Sequence, residues 1–290
     1  MNIVRKIFYT TLTTFIIITI YTLSYSKNNV LRTNFELEEI INMNTTPIYL
    51  LNNNNYLTKV DIFLDTDNLE DKPNAIIEYL KESNKKIKTN YNGYIPNNTK
   101  INNIKINNNI LYIDLSEELL NGNISIIIPG LVRSLLCIEN INKVDLKVNE
   151  KYIENYEGLL DNKISINSKY EISNRNNIAE VTIYYMSKDN NYIPVTKYLN
   201  DDREKIEIII EELKDSKNSN LISYLNENAK LLDYEEDNNI LFLNFNESLN
   251  DDDNKLNNTL NEIAYSIFDS YNILSVMFKI NDKNVKIINK

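Results

Sequence analysis

Residues 95–120 read IPNNTKINNIKINNNILYIDLSEELL, and residues 225–250 read LNENAKLLDYEEDNNILFLNFNESLN. The two stretches align without a gap at an offset of 130 residues. Asn108-Asn109-Ile110-Leu111 recurs as Asn238-Asn239-Ile240-Leu241, and Glu117 and Leu119 recur as Glu247 and Leu249. Outward from this block, Leu80-Lys81-Glu82-Ser83 parallels Leu213-Lys214-Asp215-Ser216, and Ile48-Tyr49-Leu50 parallels Ile183-Tyr184-Tyr185. Downstream, Val144–Asn149 parallels Val276–Asn281. Four blocks keep one order at offsets between 130 and 135, which argues for duplication of a unit rather than for chance matches between Asn- and Ile-rich segments.

Each copy carries the same local signals. Ile48–Leu51 and Val181–Met186 are short β-rich runs, and Val60, Ile62 and Leu64 alternate with charged residues as a half-buried strand requires. Ile206, Ile209, Ile210 and Leu213 share one helical face, with Asp201 and Glu204 spaced as a capping box before it. In the first copy Pro73 suits the opening turn after Asp71, and Ile76, Ile77 and Leu80 form the stripe. Asn107-Asn108-Asn109 and Asp237-Asn238-Asn239 then read as hairpin turns, because Asn tolerates the left-handed backbone of tight hairpins. A second helix is expected near Lys255–Ser270 in copy two. In copy one Pro129-Gly130 places its start near Pro129 and its end near Glu139. A closing strand follows, Val144–Val148 or Val276–Ile280. The order β-β-α-β-β-α-β predicts an α+β fold: two similar small domains, each with two helices on one face of a small mixed sheet.

Composition narrows the function. The 290 residues carry 31 Lys+Arg and 41 Asp+Glu, a net charge of −10, which disfavours a nucleic-acid partner because phosphate binding needs clustered cations. With no His, one Cys (Cys137) and four Gly, the chain lacks a Ser-His-Asp triad, a His/Cys metal set, an internal disulfide and a glycine-rich phosphate loop. At the N-terminus, Arg5 and Lys6 precede an uncharged run from Ile7 to Tyr25. Nineteen residues at ~1.5 Å each span close to the ~30 Å hydrocarbon core. The run reads as an uncleaved transmembrane anchor, with a cleaved signal peptide and a secreted product as the alternative; the segment has no Ala for a cleavage site. Arg5 and Lys6 hold residues 1–6 in the cytoplasm and place the body outside a cell membrane crossed once. The expected layout is a cytoplasmic stub (1–6), the anchor or signal (7–25), a spacer (26–45), domain one (46–153), a linker (154–178) with a short strand at Lys163–Asn167, and domain two (179–290).

The ordered set of motifs resembles the GerMN domain, the repeated unit of GerM-like sporulation and spore-germination proteins. The signature is an apolar-Pro-x-x-Thr-Lys-apolar segment, a hairpin, and an apolar-Asp-Leu-Ser step before a helix. Here it stands as Ile95-Pro96-Asn97-Asn98-Thr99-Lys100-Ile101 and Ile113-Asp114-Leu115-Ser116, with Lys147-Val148-Asn149-Glu150-Lys151 similar to the family's closing strand. Copy two departs from it: Asn226 replaces the Pro, Ala229 the Thr, and Asn244-Phe245-Asn246 the Asp-Leu-Ser. The resemblance implies a fold like ring-building modules and a non-enzymatic, membrane-anchored envelope scaffold in sporulation and germination. Its partners would be other sporulation or envelope membrane proteins, in a homo- or hetero-oligomer. An extracytoplasmic module that binds a ligand such as peptidoglycan is the alternative.

Candidate chemistry reads as incidental. Catalytic, cofactor-binding and metal residues are expected to be none. Ser83–Lys86 and Ser24–Lys27 match SxxK without companion motifs. Asp65-Thr66-Asp67-Asn68 starts like a calcium loop, but Glu70 stands where Gly is needed and Ile76 where Glu is needed. Asp251-Asp252-Asp253 reads as helix-capping charge, Glu117-Glu118 as a divergent surface pair, and Cys137 as a small core side chain. The charge-poor helix face at Leu131–Ile138 is the expected partner contact in copy one.

Overall fold

The computed structural model describes residues 45–168, 179–214, 216, 218–250 and 253–290. Thr45–Asn52 (β1) pairs antiparallel with Leu57–Phe63 (β2), and Tyr91–Asn92 (β3) adds to the other side of β1. In the second half Ala179–Ser187 (β8) is flanked in the same way by Tyr192–Leu199 (β9) and Leu221–Ile222 (β10). Each three-stranded sheet is followed by a four-stranded mixed one. Ile101–Asn107 (β4), Ile110–Leu115 (β5), Lys143–Val148 (β6) and Leu159–Leu160 (β7) make the first. Leu231–Asp237 (β11), Ile240–Phe245 (β12), Ser275–Ile280 (β13) and Lys283–Asn289 (β14) make the second. The central pairs β5–β6 and β12–β13 are parallel and the outer pairs antiparallel in both.

The duplicated hairpins are near-copies. Asn108 and Asn109 have φ of 50° and 63°, and Asn238 and Asn239 have 51° and 63°. Two consecutive left-handed residues define the turn whose twist matches the flanking strands. One-residue register shifts fall at Ile101/Asn103 and Leu231/Asp233, the same place in each copy.

Lys72–Tyr79 (α1), Ile124–Leu135 (α2), Lys205–Lys214 (α3) and Asp253–Ser270 (α4) supply the helices. α2 differs from the sequence expectation. It starts at Ile124 and ends at Leu135, with Pro129 inside. A proline there forfeits one backbone bond. Nine consecutive residues from Ile127 to Leu135 are buried, however, and their packing outweighs that loss. The capping box also fails. Asp201 accepts the Arg203 amide and guanidinium instead, and α3 starts at Lys205. The Tyr271 hydroxyl takes the capping role, accepting the Ile206 amide at 3.1 Å. Lys163–Asn167 is a turn rather than a strand, yet Ile166 is fully buried and exchanges bonds with Thr196.

Two apolar clusters form, one per half: Ile48, Ile77, Leu111, Leu131 and Val144 lie in the first, and Ile183, Ile209, Leu243, Ile263 and Phe278 in the second. Tyr56 of the first half packs in the second cluster, and residues 44–290 form one compact unit. The expected anchor at 7–25 and spacer at 26–45 lie outside the described residues, save Thr45. Among the described residues no helix is long and apolar enough to cross a membrane.

Candidate interaction surface

The side chains singled out for chemistry are engaged locally. Ser83 Oγ donates to Asn97 Oδ1 at 2.7 Å, while Lys86 pairs with Asp65, so this SxxK pair does not meet; Ser24–Lys27 lies outside the described residues. That ion pair also occupies the first acid of the calcium-like run; among the described residues no group of three potential metal ligands converges. Glu117 and Glu118 open a short 3₁₀ turn, and the Ser116 side chain holds the Glu118 carboxyl below its usual range. Cys137 Sγ donates to the Arg133 carbonyl at 3.3 Å, and burial pushes its thiol up, away from the reactive thiolate. Asp251 and Asp252 lie outside the described residues. Leu131, Val132 and Leu135 are fully buried and Ile138 is 2% exposed, so the helix face expected to meet a partner is spent on the protein's own core.

Part of what surrounds that helix is the seam between the halves. Arg133 is 3% exposed; its Nη1 donates to Asp269 Oδ2 at 2.7 Å and its Nη2 to the Ile164 carbonyl at 3.1 Å. The Tyr184 hydroxyl donates to the same Asp269 oxygen at 3.2 Å, and burial pushes that phenol well above its ordinary value. Further contacts are reciprocal. Asn218 in the β10 approach donates to the Tyr56 hydroxyl of the β1–β2 turn, and Asn191 of the β8–β9 turn donates to Tyr91 of β3. Asn167 bridges both halves, bonding the Leu57 amide and carbonyl and the Pro194 carbonyl. No sequence signal joined Arg133 to Asp269, which are 136 residues apart.

A second feature missed in the sequence ties each helix to its sheet. Ser134 Oγ accepts the Tyr49 amide at 2.9 Å, and Ser266 Oγ accepts the Tyr184 amide at 2.9 Å. Both serines also donate to the carbonyl four residues back, Gly130 and Glu262. These last two positions have diverged. A Cβ at Gly130 would stand 2.4 Å from the Tyr94 hydroxyl, which donates to the Tyr49 carbonyl. Glu262 is fully buried: one carboxyl oxygen accepts the Tyr224 amide at 3.0 Å and the other has no partner. Burial lifts this carboxyl to about 8, against the opposing pull of the Tyr224 and Met186 amides.

The motif residues prove to be hydrogen-bond acceptors. Asp114 Oδ1 accepts the Glu150 amide at 2.8 Å, and its counterpart Asn244 Oδ1 accepts the Asp282 amide at 3.0 Å. Ser116 Oγ accepts the Lys100 amide and Asn246 Oδ1 the Lys230 amide, both at 2.9 Å.

The second four-stranded sheet presents the surface left open. Leu241, Leu243, Phe245, Val276 and Phe278 point into the core. Register therefore turns Glu235, Phe242, Met277 and Ile287 outward in one row, and Asp233 and Lys279 in the next, with Asn244 buried between them at 4% exposure. Lys279 Nζ lies 5.0 Å from the Phe242 ring centre. A shallow cleft of about 530 Å³ runs between α3 and β11, lined by Glu207, Ile210, Leu232 and Tyr234 among others.

A family model described as Germane, sporulation and spore germination, matches residues 47–154 and again residues 182–286. The structure of the tandem GerMN domains of the sporulation protein GerM from Bacillus subtilis is similar at a TM-score of 0.71 and 21% identity, covering 85% of this chain and 96% of that one. The first GerMN domain of the same protein matches at a TM-score of 0.36 and 20% identity, over 40% of this chain and 94% of that one. A Clostridium perfringens structure described as a putative lipoprotein matches at 0.25 and 18%, over 41% and 93%. No curated protein matches the chain.

Proposed function

The chain belongs to the Germane family of sporulation and spore-germination proteins, and from that premise we propose that it is a non-enzymatic assembly component of the cell envelope, tethered through residues 7–25 and working through protein–protein contacts. One contrast carries this reading. Ser83, Lys86, Asp65 and Cys137 are each paired with a neighbouring group of the chain, whereas β11 and β14, the edge strands of the second four-stranded sheet, are exposed along most of their length. Sheet edges of this kind recruit partner strands through main-chain bonds.

Affinity capture of the tagged full chain from sporulating cells tests the proposal. The expected result is co-purification of envelope membrane proteins, reduced when exposed β11 and β14 residues are changed. Sedimentation of the chain with purified cell wall, with no protein retained in the capture, would replace the assembly role with ligand binding. Release of the chain into the soluble fraction with residues 7–25 intact would refute the tether.

A further inference from the structure

The second four-stranded sheet ends in two long strands of opposite charge. β11 carries Asp233, Glu235, Glu236 and Asp237 and no cation. β14 carries Lys283 and Lys286 and no acid, with Lys279 on the adjoining strand and Lys290 just beyond its end. Both stand at the ends of the strand order β11-β12-β13-β14, so each turns one row of main-chain N–H and C=O groups away from its single partner. Both also expose apolar side chains: Leu232 at 52% and Tyr234 at 38% on one edge, Val285 at 40% and Ile287 at 43% on the other. In the α3 cleft, Arg203 and Lys214 are already paired with Asp201 and Glu211, and Lys230 stands at the start of β11.

The first half is an internal control. Its equivalent of β11 is β4, INNIKIN, with one Lys and no acid, and its far edge is β7, only two residues long. The charge polarity is therefore not a requirement of the repeat fold. It belongs to one copy, at the two edge strands of that copy's four-stranded sheet.

We propose that the β11 edge of one chain pairs with the β14 edge of a second copy of the same chain, continuing the sheet from molecule to molecule. This rests on the assembly reading above and names its contact. The charges select the occupant. β11 against β11 sets four carboxylates facing four, and β14 against β14 sets lysine against lysine; the unlike edges alone attract. Strand direction agrees. β11 is antiparallel to β12, β12 parallel to β13, and β13 antiparallel to β14, so β11 and β14 run the same way and meet as parallel neighbours when the sheet is repeated by translation. Register places Lys283, Lys286 and Glu236 toward the helix-covered side, and Lys279, Asp233, Glu235 and Asp237 toward the open side. Each side of the extended sheet would then carry both signs. The contact uses a different surface on each partner, so every added chain keeps one free edge of each sign.

Sedimentation velocity of the full chain in mild detergent, across a concentration series, tests this with two charge-swapped variants. Variant one is Glu235→Lys with Glu236→Lys; variant two is Lys283→Glu with Lys286→Glu. The wild-type chain is expected to self-associate, less so as salt screens the pairing. Each variant alone should associate about tenfold more weakly or worse. An equimolar mixture should recover association, because variant one keeps the basic β14 edge and variant two keeps the acidic β11 edge. Misfolding of either variant cannot produce that recovery. A monomeric wild-type chain at every concentration, a variant that associates as well as wild type, or a mixture no stronger than its components would overturn the proposal. If the chain is monomeric but loses an envelope protein from the capture when variant one is used, β11 takes a basic segment of another protein and the self-pairing is wrong. Envelope proteins retained by a monomeric chain leave the assembly reading standing; self-association without any captured envelope protein removes that reading instead.

Discussion

Glu262→Gln isolates a carboxyl buried among the apolar residues of α4. The Glu262 carboxyl is fully buried with one oxygen unpartnered, and its folded value of about 8 stands well above the ordinary 4.5. A raised folded value means that the native state binds the proton more tightly than the unfolded chain. The stability that depends on the neutral acid is therefore complete below pH 4.5 and is lost as pH rises through 8. At ~1.4 kcal/mol per pH unit, the interval from 4.5 to about 8 corresponds to a loss of about 5 kcal/mol, reached above pH 8. Near pH 7 about 3 kcal/mol of it is already gone. Tyr192 flanks this carboxyl from β9 and stays neutral across that window, since burial raises it above its ordinary 10. Gln cannot ionise. It leaves a buried N–H group short of partners, which lowers stability by a constant ~1–3 kcal/mol at every pH. The readout is thus a slope and not an offset. Denaturant unfolding followed by far-UV circular dichroism suits a chain without Trp. The wild-type minus variant stability should be highest at pH 4.5 and should fall by several kcal/mol by pH 9. Parallel curves for the two proteins over that range would refute the assignment of a neutral buried acid.

Other perturbations follow from single contacts. Arg133→Met strands Asp269 in the seam and should cost about 3–5 kcal/mol, whereas Arg133→Met combined with Asp269→Leu should recover most of it in a double-mutant cycle. Gly130→Ala drives a methyl to within 2.4 Å of the Tyr94 hydroxyl and should lower stability by about 1–3 kcal/mol, with part of the loss relieved by Tyr94→Leu in thermal melts. Ser134→Ala and Ser266→Ala each leave a buried strand amide unpaired and should cost about 1–3 kcal/mol, with faster hydrogen exchange at Tyr49 or Tyr184 respectively. Asp114→Leu should free the Glu150 amide and lower stability by about 1–3 kcal/mol, while Asp114→Asn should stay close to wild type because Asn244 already does that work in the second half.

What could be read from the sequence was what local physics dictates. The Asn-Asn turns were legible because few residues accept two successive left-handed conformations, and Asn108 and Asn238 needed no tertiary information. The strand β2 was legible from the alternation of Val60 and Ile62 with charged residues. The start of α2 was not, because a local rule about Pro129 pointed one way and the burial of Ile127 and Ile128 the other. β14 was missed because KNVKIIN has weak alternation and an exposed edge strand is under little pressure to show any. Arg133 looked like an ordinary helical cation and Glu262 like an ordinary helical acid. Their burial depends on what packs over α2 and α4, and nothing local announces that α4 is covered on the Glu262 side as well as along Leu260, Ile263 and Ile267. The open surface was illegible for a related reason. Charges on β11 and β14 look like solvated strand residues until the strand order shows that both lie at the ends of one sheet.

The divergence between the halves separates what the repeat needs from what this chain adds. Asp114 and Asn244 differ in charge yet accept the same turn amide, and Ser116 and Asn246 differ in size yet accept the same strand amide. A motif that survives exchange of carboxylate for amide, and of hydroxyl for amide, is kept for accepting a hydrogen bond. Neither nucleophilicity nor acid–base chemistry would tolerate those exchanges. Elsewhere the copies part in ways that only their placement explains. Under the 132-residue offset Arg133 aligns with Tyr265 and Asp269 with Cys137, so the ion pair that locks the seam takes one member from each copy and has no mirror image. The first half's helix face is buried in that half's own core, whereas β11 and β14, the two unlike edges of the second half's sheet, are exposed.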